Sequence, residues 1–588
     1  MFAALFKRAA GSRRRLPSFA SSIGVKRHQQ FTVAALSVAS PLDERTGSAA
    51  SVAAALAGLA VVMAAGTVTT KCEKSSELTP ASVGAEDFDE VQASHDIEKM
   101  PVYTSDQVAE NNGEDGKPIW MSYGGVVYDV TKFIANHPGG SEKILTAAGS
   151  AIEPFWHIYR QHFASDLPIR LMEHMAIGRL LEKDQDEIEE QMTALQESSE
   201  DPYEREPERD SRLIVHSDAP MNAECPGYLL TESYLTPPNL FYIRHHHPVP
   251  YLTESQLDNF RLEIDVSAYD QRGRVLTLTL DDLKRLKKTE VTTTLQCSGN
   301  RRSGFNDFRR TSGTTWGQGA ISTARWGGVR LKDLLQLAGI DDPIHAQEVW
   351  GMDHVRFTGL DGMMASIHIE KAANPYGDVI VCYEMNGEPL PRDHGGPLRV
   401  IVPGYSAVRN VKWVQRIEVA PTEAEGPWQR GLNYKTLPPG VMDANDVKIE
   451  QMPSMTESSL FSGITKLSTD TLSKPIKPGD TILVNATGWA WAGGGRNVVR
   501  VDLTSDNGNT WNTATLKEGS TQRFGRAWAW TFWECKDIPC KVAEDGTIEL
   551  ASKAVDMAFN SQPESSDHSW NVRGLGNNSW FKVQEKVC

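Results

Sequence analysis

One cysteine in this chain sits among residues that change what a thiol can do. Cys297 lies in the run Thr294-Leu295-Gln296-Cys297-Ser298-Gly299-Asn300-Arg301-Arg302, where a β-branched strand enters a Gly-Asn turn and two arginines follow. Nearby positive charge lowers a thiol's pKa, which suits this sulfur to bind a soft metal or act as a nucleophile. A small buried hydrophobe is the commoner role of a single cysteine, but it leaves Arg301 and Arg302 in need of buried partners. A second candidate is His137 in His137-Pro138-Gly139-Gly140. Proline fixes the chain after the imidazole, and the paired glycines let backbone pass close to a flat ligand. The run His245-His246-His247 looks like a metal site, but adjacent residues of an extended segment point to opposite faces. Cys535 and Cys540, in CKDIPC, lack the second half of a zinc site; a disulfide and two reduced core thiols both fit their spacing. Seven cysteines spread over 588 residues do not imply a disulfide framework.

The elements that must position these groups fall into blocks, and a chain of this length has room for several cores. Over residues 98–181 strand-like stretches (Ile119–Met121, Val126–Val130) alternate with turns at Asn112–Gly113 and Gly124–Gly125. Residues 182–212 hold thirteen acids and four bases, too little apolar surface to offset ordering, and read as a flexible acidic linker. Residues 213–448 mix short strands (276–280, 291–296) with helical stretches such as VRLKDLLQLAG. In residues 449–588 alternation places Val499, Val501 and Leu503 on one strand face and Arg500, Asp502 and Thr504 on the other. A turn at Ser505–Asn509 and a returning strand TWNTATL complete the pattern of an antiparallel sandwich. Gly493–Gly495 is no phosphate loop, since no Lys-Ser/Thr follows.

The amino terminus reads as an address. Seven basic residues, several serines and no acid lie between Met1 and Pro41, the composition of a mitochondrial transit peptide. Residues 46–70 carry no charge and are long enough to span a bilayer, yet their alanine-rich composition is only weakly apolar. The two together read as a bipartite signal over residues 1–75, directing the chain to the intermembrane space, with a retained membrane anchor the less favoured outcome. Ten basic and three acidic residues in this segment leave −23 of formal charge on residues 76–588. Such acidity argues against nucleic acid and suits a basic protein partner.

Longer runs of sequence are more specific than any single motif. VYDVTKFIANHPGG resembles the haem-binding half of cytochrome b5, and TLQCSGNRR resembles the molybdenum-ligating loop of the sulfite oxidase family, usually LQCAGNRR, with Ser298 in place of alanine. The resemblance continues through AAGSAIEPFWHIYRQH, LLTESYLTPPNLFYIRHHHPVP, GAISTARWGGVRL, YEMNGEPLPRDHGGPLRV and GWAWAGGGRNVVRVDLTSDNGNTW, over about residues 98–588. It implies a multidomain α+β chain: a small b5-type haem domain, a mixed α+β molybdopterin domain and an immunoglobulin-like β-sandwich for dimerisation.

The resemblance also implies roles. His137 and His162 would be the axial ligands of a b-type haem, with His157 a nearby competitor for the second position. Cys297 would bind molybdenum beside the dithiolene sulfurs of a pterin. Arg244, Arg302, Trp316, Tyr434 and Arg573 would line the substrate pocket. Cofactor contacts would fall on Tyr242, Ile243, Arg244, His245, His246, Asp361, His394, Arg399, Asn410, Val411 and Lys412. The set is chemically coherent, because guanidinium forks match the oxygens of a compact oxyanion such as sulfite and keep their charge. Electrons would pass through the haem to cytochrome c, and the protein would be a homodimer. A nitrate-reductase-like enzyme is the alternative, but that family places its haem domain after the molybdenum domain and adds a flavin module. A haem carrier fused to a β-sandwich interaction module leaves Cys297 and its arginines unexplained.

Overall fold

The computed structural model describes residues 99–134, 137, 144–163, 167–198, 201–269, 274–340, 342–442, 447–469 and 475–588. The transit segment, the apolar stretch 46–70 and Cys72 lie outside the described residues. Among the described residues no helix is long and apolar enough to cross a membrane.

The first block is a four-stranded sheet in the order Val102–Tyr103, Ala176–Leu180, Val126–Asp129, Trp120–Tyr123, with one parallel pair at its edge. One face of the sheet supplies Met121 and Tyr128 to a core closed by Ile152, Trp156 and Met172. That core fixes the segment carrying the second candidate haem histidine.

Residues Glu182–Ser198 form a helix, although their composition predicts no order. Acids at its first turn suit the helix dipole, and Lys183 pairs with Glu187 one turn on. Ile188 packs against the cluster of Val108, Val127 and Leu180.

The central block contains two five-stranded sheets. One joins Thr289–Gln296, Ile321–Arg330, Ile380–Met385 and Glu388–Pro389, with Arg399–Ile401 paired to Ile380–Met385. The other runs Met364–His368, His354–Gly359, Val414–Ala420, Arg261–Asp265, Val275–Thr279. The predicted helix is Leu331–Ala338; it buries Leu331, Leu334, Leu335 and Ala338 and ends at Gly339, whose φ of 108° a side chain rarely adopts. A three-stranded sheet of Ile214–Asp218, Met221–Glu224 and Ile243–Arg244 flanks them.

The last block is a two-layer antiparallel sandwich. Leu460–Thr469, Thr481–Ala492, Thr531–Lys541 and Thr515–Leu516 make one sheet; Asn512–Thr513, Val498–Thr504, Thr547–Asp556 and Phe581–Lys586 make the other. Two expectations fail in detail. A register shift between Val498 and Arg500 turns Val499 outward and buries Val498 with Val501 and Leu503, because a bulge breaks period-two alternation. TWNTATL is not one returning strand: Asn512–Thr513 pairs with Asp502 and Leu503, while Thr515–Leu516 pairs with the opposite sheet. Cys535 and Cys540 are reduced core thiols on one strand, their pKa values pushed up to about 11 by burial.

Candidate active site

Cys297 follows the edge strand Thr289–Gln296 at the point where that strand leaves its sheet. Its amide donates to the Ala320 carbonyl at 3.0 Å, and the Asn300 side-chain carbonyl accepts the Ala320 amide at 3.0 Å, so the turn is pinned to the neighbouring strand. Ser298, the departure from the usual alanine, is hydrogen-bonded through its hydroxyl to Ser406. That contact ties the cysteine loop to the turn Ala407–Arg409.

The two arginines find the buried partners that the sequence demands, and find them in carbonyl oxygens. Arg301 has φ of 63° and donates to the Ser579 and Trp580 carbonyls at 2.8 and 3.0 Å. Arg302 folds beneath the loop and donates to the carbonyls of Thr314, Arg573 and Gly574. Burial lowers the Arg302 pKa to about 10; Cys297 opposes that shift, whereas Arg573 and Arg244 add to it. Arg573 is held by Ser312 and Asn433, and Arg244 by Asn222 and the His245 carbonyl. Arg244 and Arg573, from distant parts of the chain, thus repel Arg302 beside the buried Cys297, a gathering of positive charge that suits an anion.

Beside them opens a cleft of about 580 Å³, its open mouth included. Cys297, Ser298, Arg244 and Tyr434 line it together with Tyr242, His246, His394, Arg399, Asn410, Val411 and Lys412. The Tyr434 hydroxyl lies 3.3 Å from His246 Nε2, and burial raises its pKa. Burial also depresses Lys412 well below the ordinary lysine range and His394 to about 4. The buried Arg399 Nε finds no hydrogen-bond partner among the described residues. A cation with a spare donor, a depressed lysine and a buried thiol are what an anionic, sulfur-ligated cofactor would satisfy.

Not every expected residue faces this cleft. Ile243 packs with Leu213, Met221 and Ala223. His245 lies beneath, donating from Nε2 to Asp393 at 2.9 Å and accepting from Lys412, and burial with that lysine's charge lowers its pKa to about 3. Asp361 meets His247 at 3.4 Å. Trp316 is buried in the apolar cluster of Cys297 and Tyr242. Sequence reasoning missed Glu224, whose two oxygens accept the Gly317 and Gly319 amides at 2.9 and 2.8 Å and hold the loop after Trp316. Among the described residues no three His, Cys, Asp or Glu side chains are grouped to hold a metal ion.

In the first block His137 and His162 face each other with ring centroids 6.0 Å apart and planes 19° from parallel. Two metal–imidazole bonds of about 2 Å, plus roughly 1 Å from each nitrogen to its ring centre, give about that separation. The His162 Nδ1 donates to the Tyr159 carbonyl at 2.7 Å, which fixes the orientation of the ring. Trp156 stacks on His162 at 4.8 Å. It is His162, and not His157, that is brought to His137.

Residues 104–181 match the cytochrome b5-like heme/steroid binding domain family, 246–428 the oxidoreductase molybdopterin binding domain and 460–588 the Mo-co oxidoreductase dimerisation domain. The mitochondrial sulfite oxidase of Rattus norvegicus is 42% identical over 498 residues, covering 83% of this chain and 85% of that one. The chain belongs to the sulfite oxidase family. The sulfite oxidase of Gallus gallus is 40% identical across 99% of its own length and 82% of this chain. A nitrate reductase of Hordeum vulgare is also similar, at 35% identity, but the match spans 41% of that protein.

Proposed function

We propose that this protein oxidises sulfite to sulfate at a molybdenum–pterin centre and passes the two electrons singly through a b-type haem to cytochrome c. The observation that supports this reading most is the gathering of Arg244 and Arg302 at the buried Cys297 and Tyr434, with Arg573 beside Arg302. In balance, sulfite and water give sulfate, two protons and two electrons.

Cys297 would hold the metal through its sulfur, and Arg399, Lys412, His394 and His246 would hold the pterin and its phosphate. When bound, this group supplies oxygen transfer to sulfur and a two-electron sink. The protein's own part is positioning and charge. The three guanidinium groups bind the oxyanion and offset its charge as it approaches the metal. Tyr434 orients a substrate oxygen through its hydroxyl, and its raised pKa keeps that hydroxyl a donor. Trp316 and Tyr242 keep bulk water from the cysteine side. His137 and His162 would both ligate the haem iron, an arrangement that suits electron transfer rather than oxygen chemistry.

Residues 98–181, 213–448 and 449–588 serve as haem, molybdenum and dimerisation domains, and the family match of residues 460–588 supports a homodimer. Mitochondrial placement is supported by the names of the rat and Drosophila melanogaster relatives and by the basic amino terminus. Within the mitochondrion, the apolar stretch 46–70 favours the intermembrane space. A nitrate-reductase-like activity is the weaker reading, given how little of that relative is matched.

The decisive experiment measures sulfite-dependent cytochrome c reduction and metal content on one sample. Protein that contains molybdenum and haem yet does not respond to sulfite overturns the proposal. Cys297→Ala is expected to lose turnover by at least about a thousandfold, or roughly 4 kcal/mol of transition-state stabilisation, while keeping the haem absorption spectrum. Retained turnover refutes the ligand assignment.

A further inference from the structure

Residues 201–209 lie just after the acidic helix, and both ends of this short segment are clamped, each to a different block. At one end Asp201 receives a bidentate pair from Arg160, at 2.6 and 3.0 Å, and its Oδ1 also accepts the Tyr203 amide at 2.9 Å. The same guanidinium lies 5.2 Å from the centre of the Tyr203 ring. At the other end Arg209 grips Asp393 with Nη2 at 2.8 Å and Nε at 3.2 Å, and pairs with Glu206. Glu206 in turn accepts the Val249 amide at 2.7 Å. Asp393 is the carboxylate that holds His245 under the cleft.

Arg160 begins the turn that carries His162 and directly follows Tyr159. The ring of Tyr159 lies 6.5 Å from that of His247. From there a run of ring contacts leads to the cleft. His247 meets Trp428 at 5.2 Å, Trp428 meets His246 at 5.5 Å, and His246 Nε2 lies 3.3 Å from the Tyr434 hydroxyl. On the haem side, the Tyr159 carbonyl accepts the hydrogen bond of His162.

We propose that residues 201–209 are a docking strap: Asp201 and Tyr203 capture Arg160 and seat Tyr159 on His247, joining the haem ligand His162 to Tyr434 through Tyr159, His247, Trp428 and His246. This deepens the function proposed above and rests on it. Each electron that leaves the cleft reduces one ferric haem to ferrous along this contact run, and a second passes after the haem has been reoxidised by the external acceptor. The two clamps differ in character. The Arg209–Asp393 pair is nearly buried, its side chains 12% and 10% exposed, whereas Arg160 and Asp201 are 33% and 44% exposed. Salt therefore opens the haem-side clamp first and leaves the strap rooted at the cleft.

The test uses full-length holoenzyme. Asp201→Asn and Arg160→Ala are each expected to slow sulfite-driven haem reduction at least fivefold in stopped flow. Their combination should add little, as two halves of one contact. Sulfite turnover with ferricyanide, a small oxidant that reaches the cleft directly, should stay within twofold, and the haem spectrum should not change. Amide exchange of residues 201–205 in the oxidised resting protein should quicken in both variants, a readout independent of turnover. In the unaltered protein, haem reduction should slow between about 0.05 and 0.5 M salt while ferricyanide turnover holds. Haem reduction at the unaltered rate in Asp201→Asn overturns the strap, as do independent, additive losses in the double variant. Absence of sulfite–ferricyanide turnover in the unaltered protein refutes the proposed function instead, and amide exchange then decides the strap alone.

Discussion

Arg301 and Arg302 are neighbours in sequence with opposite duties. Arg301 turns away from the cleft into the carbonyls of Ser579 and Trp580, and its cation packs over the Phe581 ring at 5.0 Å. Arg302 stays beneath Cys297 with a lowered pKa. A lysine at either position would keep the charge but not the planar fork that reaches several carbonyls at once. Arg302→Lys is therefore expected to lower kcat/KM for sulfite by at least about tenfold, or ~1.4 kcal/mol, through both terms. Steady-state kinetics at fixed ionic strength check this, and an unchanged kcat/KM would remove Arg302 from the substrate pocket. The grouping of Cys297, Arg244 and Arg302 was legible, because each lies in one of the runs that carry the family resemblance. The roles of Ser298 and Glu224 were not, since a hydroxyl or carboxylate declares its partner only when distant segments meet. Ser406 is 108 residues from Ser298, and Gly317 is 93 from Glu224.

At the scale of elements, the segment bearing Tyr434 is held by a buried ion pair. Lys435 is 2% exposed; it reaches Glu423 at 3.0 Å and Ser454 at 2.8 Å, and Ser454 donates to the same carboxylate at 2.7 Å. Burial alone raises the Glu423 pKa, but hydrogen bonds from Ser454, Gln429 and Lys435 overcome it and leave the value at about 2 against an ordinary 4.5. Between those two pH values the unfolded chain binds more protons than the folded one. The stabilisation is therefore complete above about pH 4.5 and is lost as pH falls toward 2. Glu423→Gln should unfold at lower temperature than the unaltered protein at neutral pH, and the gap should narrow as pH falls through this window. A gap independent of pH in a thermal unfolding series would show that the ion pair does not hold the segment. The strands 276–280 and 291–296 and the helix Leu331–Ala338 were readable because period and capping are local. The bulge at Val498–Arg500 was not, because an inserted residue shows only against a partner strand. The helix Glu182–Ser198 was missed for a related reason: its charges argue for solvation, while its order draws on one flank against the b5-type sheet.

For the whole molecule, the formal charge of −23 on residues 76–588 bears on the external partner. If a basic protein collects the electrons, its association should be steered by that charge and weaken as salt rises. Cytochrome c reduction is expected to slow severalfold between about 0.05 and 0.2 M salt, while sulfite–ferricyanide turnover changes less. Equal slowing of both would argue against electrostatic docking of the acceptor. Chain order was legible from motifs alone, with the haem block first and the sandwich last. The reach of the last block to the cysteine loop was not, apart from Arg573. Arg301 is anchored on carbonyls of Ser579 and Trp580, and Asn577 returns a hydrogen bond to the Arg301 carbonyl. Chains are made from the amino end, and their blocks fold in that order as they emerge. The loop that presents Cys297 thus stays half built until residues 577–580 have been made, and loading of the cofactor waits for them as well.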